Sequence, residues 1–321
     1  MFDRKFTIPF HVRQLEAAVH RFSGDRKKKM ELEEQLKNYY AGCRGESAVD
    51  YPLSLLQERE FRILHSLRLP NGVHLFQMDC LLLTTRFFLL LEIKNISGTL
   101  HVDSKLHQFF REKKEQVQRF SDPFVQAERL IRQFRVWLGG SKFAHMPIEK
   151  LVVLVSPNAV LLPESADSNF YRSVTFVDRL AERVLEISRL HAEPLVTPKM
   201  LRAFSKKLCA AHQELEQNVF AAYHIDPNQI RHGVCCPECG TFPMQRLKAR
   251  WSCGSCGGVS KDAHIQALKD YRLIFGPKIT NQQCRAFLHL ESRDLARRLL
   301  SAAGASPSGT GKAIVYHLNF N

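Results

Sequence analysis

A chain of 321 residues, 45% hydrophobic and 24% charged, is long enough for two or three cores and too apolar for a disordered polar chain. Lys and Arg outnumber Asp and Glu by 46 to 32, a formal net charge of +14 with a pI of about 9.5. That balance favours polyanions, nucleic acid first and an anionic membrane second. No apolar run follows the charged start Met-Phe-Asp-Arg-Lys-Phe, and the most apolar stretch, residues 80–93, is interrupted by Arg86. It falls short of the ~20 apolar residues that a membrane span needs, so the expectation is a soluble, cytoplasmic protein without membrane contact.

Residues 1–40 are basic and read as a helical N-terminal segment, with Leu32 and Leu36 in a stretch free of Gly and Pro. The run Lys27-Lys28-Lys29 reads as a solvated face. Residues 41–177 change to the pattern of a mixed α/β domain. Val49, Leu53 and Leu56 have helical spacing over residues 46–57, with Pro52 bending that helix or Tyr51 starting it. Residues 61–69 alternate as a strand, Pro70-Asn71-Gly72 is a turn, and residues 73–83 and 87–94 are the next strands. The last opens on an unbroken Phe-Phe-Leu-Leu-Leu run, as expected of a strand buried on both faces.

A polar, basic stretch follows to Phe120. Ser121-Asp122-Pro123 announces a helix over 124–138, ended by Gly139-Gly140, and residues 151–155 form a strand. The order is helix, three strands, helix, strand. Residues 178–230 read as a helical connector, with helices over 178–190 and 198–214. The predicted fold class is α/β, a mixed sheet flanked by helices, followed by a small zinc ribbon (231–260) and a helix-turn-helix-like C-terminal domain (261–321).

Four of the nine cysteines form two CxxC pairs, Cys236/Cys239 and Cys253/Cys256, thirteen residues apart. In a reducing compartment this favours metal over disulfides. Each CxxC knuckle supplies two thiolates, and a glycine after Cys239 and after Cys256 lets the chain turn back. The expectation is a structural Zn²⁺ site closed by four thiolates, with Cys235 as a spare. A redox dithiol is the competing reading.

The third strand ends Leu91-Glu92-Ile93-Lys94. Alternation puts Glu92 and Lys94 on one face, and Asp79 lies on the preceding strand. Two carboxylates at adjacent strand ends suit Mg²⁺ or Mn²⁺, and a lysine beside the ion can orient or deprotonate a water. This is a minimal kit for phosphodiester hydrolysis. Ordinary solvated strand residues are the plainer reading, but charges flanking such apolar strands are costly without partners.

Gly45-Glu46-Ser-Ala-Val-Asp-Tyr51, Phe76-Gln-Met-Asp79, Leu91-Glu92-Ile-Lys94-Asn-Ile-Ser-Gly98 and Asp122-Pro-Phe-Val-Gln126 together resemble the nuclease-related domain (NERD) family, placed in the PD-(D/E)XK nuclease superfamily. The resemblance covers about residues 40–160. It implies a restriction-endonuclease-like mixed sheet with Asp79, Glu92 and Lys94 as the catalytic core, Glu46 as the acidic residue of the first helix, and Gln126 on the helix after the core strands. Met78 stands where the superfamily name has proline. For Glu46 and Gln126 a helix cap or structural hydrogen bond is the alternative.

Near the C-terminus, Thr280-Asn-Gln-Gln283 has the form of a capping box, and Ser292 can cap a second helix. Leu295, Leu299 and Leu300 form its inner face, with Arg293, Arg297 and Arg298 outside. Gly304 suits its stop. A Gly/Ser-rich loop carrying Lys312 leads to a strand over 313–318, a pattern resembling a winged helix whose second helix enters the major groove. A packing or dimerising hairpin is the alternative. Gly309-Thr-Gly311-Lys312 lacks the order and spacing of a phosphate loop. The resulting expectation is a Mg²⁺-dependent nuclease acting on DNA. A non-catalytic DNA-binding protein and a ribbon-docked interaction module are the competing readings.

Overall fold

The computed structural model describes residues 2–57, 59–72, 74–103, 106–113, 116–165 and 168–320. Its contacts group into two compact units, Met1–Pro9 with Tyr39–Glu214, and Phe10–Asn38 with Leu215–Asn321.

The first unit is built on a mixed sheet. In chain order its strands and those of its neighbour are β1 (Phe2–Arg4), β2 (Arg62–Asn71), β3 (His74–Leu83), β4 (Phe88–Lys94), β5 (Gly98–Asp103), β6 (Gln108–Lys113), β7 (Gln116–Phe120), β8 (Ile148–Leu154), β9 (Ala159–Ser165) and β10 (Val174–Phe176). Six of them, in the order β1-β2-β3-β4-β8-β10, form the main sheet. β2, β3 and β4 are antiparallel neighbours, whereas β4, β8 and β10 run parallel. Phe88 and Leu90 of β4 join a core under the helices Pro123–Leu138 and Pro198–Ala211. Leu89 and Leu91 join the opposite core, with Leu53 of the helix Asp50–Ser54 and Val184 of Leu180–Arg189. The apolar run of β4 thus has the two-sided burial that its composition implies.

The N-terminal segment has the helices Phe10–Arg21 and Arg26–Ala48, but it opens on a strand that the sequence did not announce: Phe2–Arg4 pairs in parallel with β2. Glu46 is not on the helix that contains Pro52, because the long helix Arg26–Ala48 ends first and Asp50–Ser54 is separate. Pro52 sits in the first turn of that short helix, where its missing N–H costs nothing. The polar stretch before Phe120, to which no element was assigned, forms β5, β6 and β7, which with β9 make a second sheet in the order β7-β6-β5-β9. Leu100, Val102 and Phe109 of that sheet pack with Leu154 and Phe170.

The second unit holds two small antiparallel sheets. β11 (Gln245–Leu247), β12 (Arg250–Ser252) and β13 (Val259–Ser260) form the first. β14 (Lys278–Thr280), β15 (Ser306–Ser308) and β16 (Val315–His317) form the second, in the order β14-β16-β15. The C-terminal strand is therefore shorter than residues 313–318, and it has two partners that sequence periodicity missed. The helices Ala263–Phe275, Asn281–Leu288 and Arg293–Ala302 complete this half. Thr280 closes the expected capping box and Ser292 caps the next helix. One core contains Cys236, Trp251, Cys253, Leu268, Phe287, Leu299 and Tyr316.

The same unit encloses Arg21, which is 0% exposed. Its Nε donates to Asp270 Oδ2 at 2.8 Å, and its Nη1 donates to the carbonyls of Arg231 and Gly233 at 3.0 Å each. Arg21→Ala leaves Asp270 buried without its cation and is expected to cost about 3–5 kcal/mol, read as a lower denaturant midpoint. A loss below 1 kcal/mol would contradict this assignment of the pair.

No described helix is long and apolar enough to cross a membrane.

Candidate active site and metal centre

The β3–β4 ladder runs from Leu83↔Phe88 to Cys80↔Leu91. Continuing that register sets Asp79 opposite Glu92. The ladder stops there, and the Asp79 carboxylate takes over its role by accepting the Ile93 N–H at 2.9 Å. The strands therefore part where the acidic side chains stand. Glu92 is 1% exposed. Lys94 Nζ donates to Glu92 Oε1 at 2.6 Å and to Gln126 Oε1 at 3.1 Å.

Gln126 stands in the first turn of the helix Pro123–Leu138. Asp122 caps that helix by accepting the Phe124 and Val125 N–H groups at 2.7 and 3.3 Å, with Pro123 preset for the first helical position. The Ser-Asp-Pro signal thus fixes where Gln126 projects.

Glu46 reaches the same region from the end of Arg26–Ala48. Gly45 makes the approach possible: a Cβ there would lie 2.7 Å from Cβ of Asn95, just beyond β4. Glu46 Oε2 accepts the Ser66 hydroxyl at 2.7 Å. In the β2–β3 register Ser66 lies between the pairs His65↔Cys80 and Leu67↔Met78, opposite Asp79. Its φ is 47°, a left-handed conformation uncommon for serine. Ser66 was not anticipated from the sequence; the one signal was the polar His65-Ser66 interruption in an apolar strand.

The electrostatics follow from this crowding. Burial, then the charge of Asp79, raise Glu46 to about 7, against the opposing pull of the Ser66 hydroxyl and Lys94. Burial, then Asp79, likewise raise Glu92 to about 7, although Lys94 opposes this. Asp79 is itself raised by burial, offset by the Ile93 N–H and Lys94. Glu92 Oε2 is buried and accepts no hydrogen bond among the described residues. Glu46, Asp79 and Glu92 all feel the charge of Lys94, and carboxylate oxygens such as the orphaned one of Glu92 could take a hard cation. The five residues expected from sequence, Glu46, Asp79, Glu92, Lys94 and Gln126, are linked by these contacts and fields.

The second candidate centre is the cysteine cluster. The thiol sulfurs of Cys236, Cys239, Cys253 and Cys256 all lie within 4.8 Å of one another, the one cluster this tight among the described residues. Both knuckles have the same backbone: Gly240 N–H donates to Cys236 C=O, and Gly257 N–H to Cys253 C=O, at 2.9 and 3.0 Å. Gly240 and Gly257 have φ of 71° and 73°, which suits glycine alone without strain. The Sγ–Sγ distances are 3.7 Å for Cys236–Cys256 and 3.6 Å for Cys239–Cys253. Tetrahedral thiolates at the ~2.3 Å of a zinc–sulfur bond would sit about 3.8 Å apart. The four residues could hold a metal ion of that kind.

Arg293, Arg297 and Arg298 are exposed, whereas Ala296, Leu299 and Leu300 of the same helix are buried. Leu295 is only partly buried. Arg297 lies 3.5 Å from Asp294. The Lys312 side chain lies outside the described residues. Arg246 of the cysteine-bearing hairpin, which the sequence reading passed over, sits above the Trp251 ring at 5.1 Å and feels the charge of Arg298.

Residues 41–155 match the family model of the nuclease-related domain. The matched segment contains all five residues of the acidic site and ends one residue past β8. No curated protein and no solved structure matches the chain.

Proposed function

We propose that the chain is a divalent-cation-dependent nuclease that hydrolyses DNA phosphodiester bonds, with a restriction-endonuclease-like catalytic sheet in the nuclease-related domain. The observation that carries this reading is the bridge from Glu92 through Lys94 to Gln126, beside Asp79 and the orphaned Glu92 oxygen. Asp79 and Glu92, with Glu46 close by, would hold Mg²⁺ or Mn²⁺. When bound, such an ion stabilises charge on the phosphate. Gln126 fixes the direction of the Lys94 ammonium, which in turn orients the attacking water. Ser66 keeps Glu46 turned toward the site.

The ribbon is read as a structural Zn²⁺ site, since four thiolates leave no open coordination position. The order helix, strand, two helices and two strands after residue 262 supports a winged helix. Arg293, Arg297 and Arg298, joined by Arg246, would meet phosphates or base edges there.

Wild-type protein incubated with Mg²⁺ or Mn²⁺ and supercoiled, linear and single-stranded DNA should cut at least one of them, and chelation of the divalent ion should stop the cutting. DNA retention without cleavage under every condition would reduce the chain to a binding protein and overturn the proposal. Ser66→Ala and Ser66→Gly should both lower the cleavage rate by about tenfold or more, since a hydrogen bond to a carboxylate is worth roughly 1.5–3 kcal/mol. The glycine variant should be the more stable of the two, because it relieves the left-handed backbone that alanine keeps. Unchanged rates in both would remove Ser66 from the site.

A further inference from the structure

Within the first unit, the helices Pro123–Leu138 and Pro198–Ala211 cover the same face of the sheet and leave a groove of about 300 Å³. Its walls are aromatic and flexible, from Trp137, Phe143, Met200 and Phe204, and Lys142 and Lys207 also line it. Phe143 and Phe204 stack with centroids 3.9 Å apart. Lys207 Nζ lies 5.7 Å from the centre of the Trp137 ring. Trp137 and Phe143 are only half-buried, and both lysines are exposed. The volume stands at the lower end of small-ligand pockets.

A purely apolar occupant would have no use for two lysines on an aromatic slot, and a simple anion would have no use for the rings. A ligand that is both planar and anionic uses each. The helix that carries Trp137 also carries Gln126, eleven residues earlier, so the groove lies about 16 Å along that helix from the acidic site. Arg129 and Arg132 are exposed on the helix between them. Stacked nucleotides advance ~3.4 Å each, so this interval corresponds to about five nucleotides.

We infer that this groove is a subsite for an unpaired nucleic-acid strand: one base stacks on Trp137, beside the Phe143–Phe204 pair, while Lys142 and Lys207 hold the adjoining phosphates. The inference rests on the nuclease reading for its substrate class. It adds that the protein grips an unpaired segment about five nucleotides from the bond it cuts. A paired base has both faces already stacked and cannot enter the slot, so the subsite selects single strands or frayed ends.

Tryptophan emission tests this without any cleavage. The chain has two tryptophans, and Trp251 is 0% exposed, so contact quenching reports Trp137. Full-length protein is titrated with a thymidine oligonucleotide about ten residues long, with no divalent ion added. Saturable quenching is expected, weakening steeply with salt. Lys142→Ala/Lys207→Ala should bind roughly tenfold to a hundredfold more weakly. Trp137→Phe should abolish the signal while the variant still binds a fluorescently labelled copy of the oligonucleotide, read by anisotropy. A blunt duplex or a mononucleotide that quenches as well as the oligonucleotide would overturn the strand assignment. So would absence of quenching, or quenching indifferent to both lysines. A protein that quenches but never cuts DNA would keep the subsite and lose the nuclease, so the two failures are separable.

Discussion

Lys94→Ala is expected to lower metal-dependent DNA cleavage by at least about a hundredfold, and Asp79→Ala by as much or more. Lys94 is the cation that Glu92 and Gln126 share, at 2.6 and 3.1 Å. Removing it takes away the group that positions water and leaves the buried Glu92 carboxylate without a counterion. The second effect has its own signature. Glu92 already sits at about 7, and without Lys94 its proton is held still more firmly. The variant should therefore resemble wild type in stability near pH 5 and fall below it near pH 8. Asp79→Ala acts differently: it removes the charge that raises both Glu46 and Glu92, and it frees the Ile93 N–H. A rate within twofold of wild type for either variant, in folded protein, would dismiss the proposed site.

The second large effect concerns the cysteine cluster. Removing the metal, or replacing Cys253 by serine, should abolish the cooperative unfolding transition of the second unit. Cys236 and Cys253 belong to the same core as Trp251, Phe287 and Leu299. Without the ion, the two knuckles have only the short β11–β12 ladder and weak thiol contacts between them among the described residues, and the core that they close loses one wall. In a Trp137→Phe background, emission from Trp251 should move to the red as solvent reaches it. The cores of the first unit contain none of these residues, so its own transition should persist. Metal analysis should give one zinc per chain in wild type and none in the variant. A zinc-free protein with an unshifted Trp251 spectrum would contradict a structural role.

Local chemistry made part of this architecture readable in sequence. β4 opens on the uninterrupted apolar run Phe88 to Leu91 because both of its faces are buried there, and Asp122-Pro123 fixes its helix start through a cap and a preset φ. The two CxxC pairs declare their knuckles through ligand spacing. What escaped notice depends on partners distant in the chain. Phe2–Arg4 is too short for a pattern and becomes a strand by pairing near Ile63. The strands between Gly98 and Phe120 bury only one side, and charged residues dilute their alternation. Glu46 was readable as a residue type, yet its placement depends on Gly45 meeting Asn95, half a domain away. Ser66 has meaning only once β2 and β3 are in register.

Thermal unfolding of wild-type protein with and without Mg²⁺, at pH 5 and pH 8, tests the cation site most directly. Glu46 and Glu92 are both raised to about 7, so in the metal-free fold they keep protons that the unfolded chain releases above about pH 4.5. Metal-free stability should therefore fall as pH rises from about 4.5 to 7. At pH 8 the carboxylates are ionised and Mg²⁺ neutralises their repulsion, whereas at pH 5 it must displace their protons, so it should raise the melting temperature markedly at pH 8 and little at pH 5. Asp79→Asn should remove most of that gain. A Mg²⁺ response absent at pH 8, or equal at both pH values and in Asp79→Asn, would contradict a divalent-cation site built from Glu46, Asp79 and Glu92.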